Sequence, residues 1–357
     1  MKRALLAAGV SLAVVLTATA RAGDVTVSFL DVGQGDAILI RSPEGKTALV
    51  DAGPTNGIMN LLKKKGVESI DLVVVSHHHA DHINGMAAVI EKYKPKFYAD
   101  SNSSHTSTAY QRLLEAVDRA GCKLVEPKKD SERKIQLGSV LLRLFPQPGE
   151  DKKNENNNSI GIRLDYDEFS VLLTGDSEQV ERAWWFEHAE ASLYRHVTIM
   201  KAAHHGSRNG TDEGWLKATR PKLVVVSCGE GNSYGHPHKN TLNLLQRLDV
   251  PVKRTDVDGT ITIESDGKTW KVHVSHLGEH KGKEKGGSEA VRPTMNTKLP
   301  PTVAPTSVGY VASKRSQVFH RADCKSAAKI SAKNLVQYNS RDEAIKAGKK
   351  PCGECEP

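Results

Sequence analysis

Past residue 22 the chain has no apolar run of the roughly 20 residues a membrane helix needs. That excludes a helical membrane channel from this stretch. Cysteine is scarce, five residues in 357. Two of them, Cys122 and Cys228, adjoin apolar runs and read as buried thiols with no nucleophilic role. A disulfide between them stays open. The body of the chain also lacks a basic surplus: residues 23–277 carry 32 Lys and Arg against 34 Asp and Glu, a net of −2. The overall charge of +8 comes from the ends. Residues 278–357 hold 15 basic against 8 acidic side chains, or +7. A basic tail either holds a polyanion or serves only as a solvated extension.

The long apolar stretch that does exist is at the start. Lys2 and Arg3 precede Ala4–Ala20, and Ala20-Arg21-Ala22 has the small-x-small form of a cleavage site. Residues 1–22 therefore read as a signal peptide, with export to the periplasm or the exterior. An uncleaved anchor fits less well, because the stretch is short and contains glycine, serine and threonines.

The most informative segment is His77-His78-His79-Ala80-Asp81-His82, directly after the apolar strand Leu72-Val73-Val74-Val75-Ser76. On an extended backbone His77 and His79 point the same way, and Asp81 and His82 follow where the chain turns. Three imidazoles and a carboxylate at this spacing suit one or two borderline metal ions such as zinc. A solvated polar loop would not concentrate histidine so specifically. Two later segments add to it. Leu172-Leu173-Thr174-Gly175-Asp176 ends an apolar run in a carboxylate, and Ala202-Ala203-His204-His205-Gly206-Ser207 ends another in two imidazoles.

H-x-H-x-D-H, then T-G-D, then H-H-G-S, in this order, resembles the metallo-β-lactamase fold. More closely, residues 24–277 resemble the soluble hydrolase domain of ComEC-type DNA-uptake competence proteins. Leu30-Asp31-Val32-Gly33-Gln34-Gly35-Asp36-Ala37, Val50-Asp51-Ala52-Gly53, Asn157-Asn158-Ser159 and Gly235-His236-Pro237 carry the closer match. Those proteins join the hydrolase to a membrane channel. This chain shows the hydrolase without the channel, so it is not expected to transport DNA itself.

Short apolar segments alternating with amphipathic ones argue an α/β class on their own. Strands are expected at 25–30, 37–41, 47–51, 72–76, 139–145, 159–164, 170–173, 223–227 and 260–264. Helices are expected at 57–65, 85–93, 108–120 and 241–248. The resemblance implies an αββα sandwich with the site at one edge between two sheets. It also implies roles. His77 and His79 hold a first metal, Asp81 and His82 a second, and Asp176 bridges them. Of the two adjacent histidines, His204 is the favoured ligand, with His205 lining the cleft. Relatives often give the first metal a third histidine from the segment before T-G-D. Here that segment is Asn154-Glu155-Asn156-Asn157-Asn158, so zinc or manganese is expected in one or two copies. Asp81, Asp176, His205 and His236 are the expected catalytic residues, and Asn158, Lys201 and His236 the expected contacts to an anionic substrate. Asp51 is expected to order the metal loop, and Asp31 and Asp36 to be structural.

Residues 278–309, rich in Lys, Glu and Gly and then in Pro and Thr, read as a disordered linker. Residues 310–357 hold His320, Cys324, Cys352 and Cys355 in a Cys3His pattern suited to one structural zinc. A module this small needs such a staple. It resembles the zinc-binding module of the Ada DNA-repair protein, with His320 standing where that family has cysteine. A Cys352–Cys355 disulfide is the alternative.

The expected function is exported, metal-dependent hydrolysis of a phosphodiester, with DNA or RNA as substrate. Alternatives are hydrolysis of a phosphorylcholine-type ester, a lactone or a β-lactam, or a non-catalytic surface protein binding polyanions. The H-H-G-S motif also occurs in phosphocholine esterases of this superfamily.

Overall fold

The computed structural model describes residues 23–276 and most of 310–357. The expected signal peptide and linker lie outside the described residues. The chain divides into two compact units, one up to Arg292 and one from Pro293.

The larger unit is built on two sheets. In spatial order the first runs Trp270–Val274, Ile261–Ser265, Val25–Phe29, Ile38–Arg41, Thr47–Val50, Leu72–Val74, Phe97–Ala99, Lys123–Val125. The second runs Val252–Arg254, Leu223–Val226, Ile199–Lys201, Phe169–Leu173, Ile162–Tyr166, Val140–Leu144, Arg133–Leu137. Each sheet has an antiparallel part and a parallel part. Thr47–Val50 through Lys123–Val125 are parallel in the first, and Phe169–Leu173 through Val252–Arg254 in the second.

Three apolar layers hold the unit together. The central one joins the inner faces of both sheets, with Val25, Val27 and Phe29 against Leu142, Leu144 and Val171. The second packs Leu39, Val73 and Val75 of the first sheet under Leu62, Val89 and Leu113 of the helices Ile58–Lys64, Met86–Tyr93 and Thr108–Ala120. The third packs Met200 and Val224 of the second sheet under Trp185, Trp215 and Leu245 of the helices Gln179–His188, Glu213–Thr219 and Lys239–Arg247. Helix, sheet, sheet, helix is the αββα sandwich. Leu72 and Val74 face the central layer while Val73 and Val75 face the helices. Burial on both faces explains why this strand is continuously apolar rather than alternating.

The carboxyl ends of the parallel strands open at one edge. Thr47–Val50 leads to Asp51, Leu72–Val74 to His77, Phe169–Leu173 to Asp176, Ile199–Lys201 to His204 and His205, and Leu223–Val226 to Ser227. Ligands of α/β sheets bind at such ends, where loops can be shaped without disturbing the sheet.

The smaller unit is a four-stranded sheet in the order Leu335–Tyr338, Tyr310–Ser313, Val318–Arg321, Lys350–Pro351, with a helix at Arg341–Lys346. Its apolar clusters are small, Val311 with Cys324, Ala327 and Cys352 in one, and Ala312 with Phe319, Tyr338 and Ala344 in the other.

Candidate metal centre

The strand Leu72–Val74 ends and the chain stays extended to His79, whose φ is −67° and ψ 149°. It then turns into the short helix Ala80–Ile83. Within the extended part His77 and His79 meet, with His77 Nε2 3.0 Å from His79 Nδ1. His78 points the other way. Its Nε2 lies 2.7 Å from Asp100 Oδ1, and its Nδ1 3.1 Å from Ser103 Oγ and 3.2 Å from Glu155. Its ring lies 4.1 Å from that of Tyr110. The middle histidine thus anchors the loop from behind.

The turn brings Asp81 and His82 onto Asp176 and His205. Ligand atoms of these four residues lie within 4.8 Å of one another. His205 Nε2 is 3.1 Å from Asp81 Oδ2 and 3.2 Å from Asp176 Oδ2. His82 Nε2 is 3.4 Å from Asp176 Oδ1 and 3.8 Å from Asp81 Oδ2. Two ligand atoms each about 2.1 Å from a tetrahedral ion stand about 3.4 Å apart, and these four separations bracket that value. His82 Nε2 and Asp176 Oδ1 are also buried with no hydrogen-bond partner. Buried polar atoms are normally paired, and a cation among them would satisfy both. The donor set of two imidazoles and two carboxylates fits zinc or manganese.

Each imidazole is held from its far side. His82 Nδ1 donates to Asp51 Oδ2 at 2.8 Å, and Asp51 accepts in turn from Ser76 N and Ser76 Oγ, both at 2.7 Å. His205 Nδ1 donates to the carbonyl of Ser227 at 2.9 Å. Such partners fix tautomer and ring orientation, leaving Nε2 of both rings free to ligate. Asp51 therefore braces the His82 ring from the side away from the cluster.

Electrostatics agree with the geometry. Burial alone would keep His82 and His205 neutral. The carboxylates of Asp176, Asp81 and Asp51 around His82, and of Asp176 and Asp36 around His205, overcome it and raise both imidazoles well above their usual range. The pocket favours positive charge. His77, fully buried and beside His82, is pushed well below the usual range, which keeps it in the neutral form that binds metal.

His204 and His205 exchange the places expected of them. Both sit at positive φ, 50° and 52°, in a tight turn that sends their rings apart. His205 goes inward to the cluster. His204 goes to the rim, its Nδ1 3.0 Å from Glu178 Oε1 and its Nε2 3.8 Å from Asp176 Oδ2.

Two expected substrate contacts are occupied elsewhere. Lys201 is fully buried, 2.6 Å from Asp36 Oδ2 and donating to the carbonyl of Gly175 at 2.9 Å. It ties the strand Ile199–Lys201 to the Gly33–Asp36 turn beneath the cluster and faces no solvent. Asn158 is buried too, its amide donating to Glu155 at 2.8 Å and to the carbonyl of Asp151, while its Oδ1 accepts from Asp151 N at 2.7 Å. It shapes the short turn Glu155–Asn158. His236 does reach the site. Its ring lies 5.3 Å from that of His204 and 6.0 Å from that of His205. Burial, with His205 and His204 alongside, brings its pKa down to about 4, so near neutral pH it presents an uncharged ring.

Sequence reasoning missed Glu178, Glu155 and Asp100. Glu178 stands two residues past Asp176 and orients His204, but a surface carboxylate at a helix start looks the same in sequence. Gly35 carries a clearer signal. Its φ is +143°, and a Cβ there would lie 2.2 Å from the carbonyl of Asp81, where Asp36 N donates at 3.2 Å. Only glycine lets the two loops close on each other.

The Lys201–Asp36 pair allows a prediction about stability. Lys201→Met leaves a carboxylate buried without its cation, and loss of one partner of a buried pair costs roughly 3–5 kcal/mol. Chemical denaturation of the variant should show a loss of that size. A change below about 1 kcal/mol would return Lys201 to the cleft.

In the smaller unit His320, Cys324, Cys352 and Cys355 also bring ligand atoms within 4.8 Å of one another. Lys350–Pro351 pairs beside Val318–Phe319, and Cys352 N donates to the carbonyl of Phe319 at 3.0 Å. This places Cys352 next to the strand that carries His320, whose Nδ1 is 3.6 Å from Cys324 Sγ. All five cysteines are free thiols, so neither a Cys352–Cys355 nor a Cys122–Cys228 disulfide is formed.

Residues 30–230 match the family described as the metallo-beta-lactamase superfamily. The chain belongs to that superfamily and is one of its hydrolases. Its relatives there include competence proteins of the ComEC type. It is similar to ComE operon protein 3 of Bacillus subtilis, 26% identical over 66% of this chain and 32% of that protein. It is similar to competence protein ComA of Neisseria gonorrhoeae, 26% identical over 67% and 32%. To recombination protein 2 of Haemophilus influenzae it is 25% identical over 66% and 28%. The chain spans about a third of the length of these relatives. Among the described residues no helix is long and apolar enough to cross a membrane.

Proposed function

We propose that this protein is an exported metal-dependent phosphodiesterase that acts on nucleic acid. The observation that carries the reading is the grouping of Asp81, His82, Asp176 and His205 at tetrahedral ligand spacing. His77 and His79, which meet at 3.0 Å, are the pair that would hold a second ion. Zinc or manganese held there would supply a water acidic enough to ionise near neutral pH and would offset charge on the phosphoryl oxygens.

The protein's own groups do the rest. Asp51 and the Ser227 carbonyl hold the two ligating rings in register. The Asp81 side chain is 30% exposed, against 2% for Asp176, so substrate approaches from the Asp81 side. There His204, braced by Glu178, stands at the rim and is the residue we assign to carry a proton to the leaving oxygen. His236 walls the cleft with a neutral ring. The relatives named for competence and recombination support nucleic acid as the polymer, and the segment Lys2 to Ala22 supports export. Metal-loaded protein tested against single- and double-stranded DNA, RNA, bis-p-nitrophenyl phosphate and nitrocefin decides the substrate. Turnover of the nucleic acids and the small phosphodiester supports the reading. Turnover of nitrocefin alone refutes it.

The smaller unit would hold one structural zinc on His320, Cys324, Cys352 and Cys355 and would bring the tail's positive charge to the polyanion. Removal of residues 278–357 should lower metal content by about one equivalent by elemental analysis. It should also weaken DNA binding and flatten its salt dependence, because fewer phosphate contacts release fewer counterions. Unchanged metal content would remove the tail site. Unchanged, equally salt-sensitive binding would make the tail a contact for something other than nucleic acid.

A further inference from the structure

Resting on the nucleic-acid reading above, we propose that Tyr234 is a stacking platform for an unpaired base close to the scissile bond, so that the substrate strand is single-stranded. Tyr234 is a large side chain left 67% exposed, at the edge of the metal cleft. Its ring stacks on His236, 5.7 Å between centroids and 18° between planes. His236 lies 6.0 Å from His205 of the metal cluster. The Tyr234 ring is therefore no more than about 12 Å from the His205 ring, within three or four nucleotides at a stacked rise of about 3.4 Å.

The loop that presents it is tied in place. Asn232 donates to the carbonyls of Gly229 at 2.9 Å and His236 at 2.6 Å, and accepts from His236 N at 2.9 Å. Gly235 N donates back to the carbonyl of Asn232 at 3.2 Å. An aromatic ring fixed beside a neutral imidazole keeps its position without a ligand, which lowers the ordering cost of binding. Base stacking on such a ring tolerates any sequence but requires the base to be free of a partner strand.

The test compares two substrates with the full, metal-loaded chain: a twelve-residue oligothymidylate, and a strand of equal length and charge with abasic sugars throughout. The wild-type protein should prefer the thymidylate by about tenfold in kcat/KM. In Tyr234→Ala the preference should fall to within twofold, mostly through KM, and Tyr234→Trp should keep it. The proposal is overturned if Tyr234→Ala retains the preference, or if it slows both strands equally, which would mark Tyr234 as a prop for His236. If the wild-type protein cuts neither strand, the nucleic-acid reading itself fails and takes this inference with it.

Discussion

Asp176→Ala should lower phosphodiester hydrolysis by on the order of a thousandfold or more while leaving the protein folded. Among the described residues Asp176 is the one carboxylate whose two oxygens face three imidazoles, 3.4 Å from His82, 3.2 Å from His205 and 3.8 Å from His204. Its removal takes a ligand from the cluster and leaves His82 and His205 facing each other with less compensating charge. The side chain sits past the end of the strand Phe169–Leu173, so the apolar layers lose nothing. Asp81→Ala should act similarly, since Asp81 Oδ2 is 3.1 Å from His205 Nε2. Initial rates on bis-p-nitrophenyl phosphate, with far-ultraviolet circular dichroism as the check on folding, measure this. Rates near wild type in both variants would place the reaction elsewhere.

The adjacent histidines should separate into two phenotypes. His205→Ala should lose both metal and activity, because His205 Nε2 closes the cluster against Asp81 and Asp176. His204→Ala should keep its metal within about tenfold of wild-type affinity, as loss of a neighbouring support does. Its rate should fall by roughly 10²–10⁴, the usual contribution of a proton carrier. Metal titration beside kinetics separates the two. Loss of metal in His204→Ala with retention in His205→Ala would restore the assignment the sequence alone favours.

That exchange shows where sequence reading stops. The fold was legible because its signals are local. Leu72-Val73-Val74-Val75 can only be a strand buried on both faces, and Thr108–Ala120 has a serine cap at one end and Gly121 at φ +67° at the other. The helices Gln179–His188 and Glu213–Thr219 escaped notice because Trp184, Trp185 and Trp215 follow no clean polar face. The metal motif was legible because His77, His79, Asp81 and His82 are set by one strand end and one turn. The choice between His204 and His205 was not, because it depends on two residues at positive φ and on the Ser227 carbonyl, 22 positions away. Lys201 and Asn158 look like anion contacts in sequence. Asp36, the partner of Lys201, lies in the distant Gly33–Asp36 turn, and only the packed sheets bring the two together. Asn158 is held within its own turn by Glu155 and Asp151.

Metal dependence tests the central claim most directly. The purified chain is assayed on single-stranded DNA and on bis-p-nitrophenyl phosphate, then stripped with a chelator and assayed again, then reloaded with zinc or manganese. Stripping should abolish both activities and reloading should restore both. Cleavage that survives complete removal of metal, or a fully loaded protein that cleaves neither phosphodiester, would contradict it.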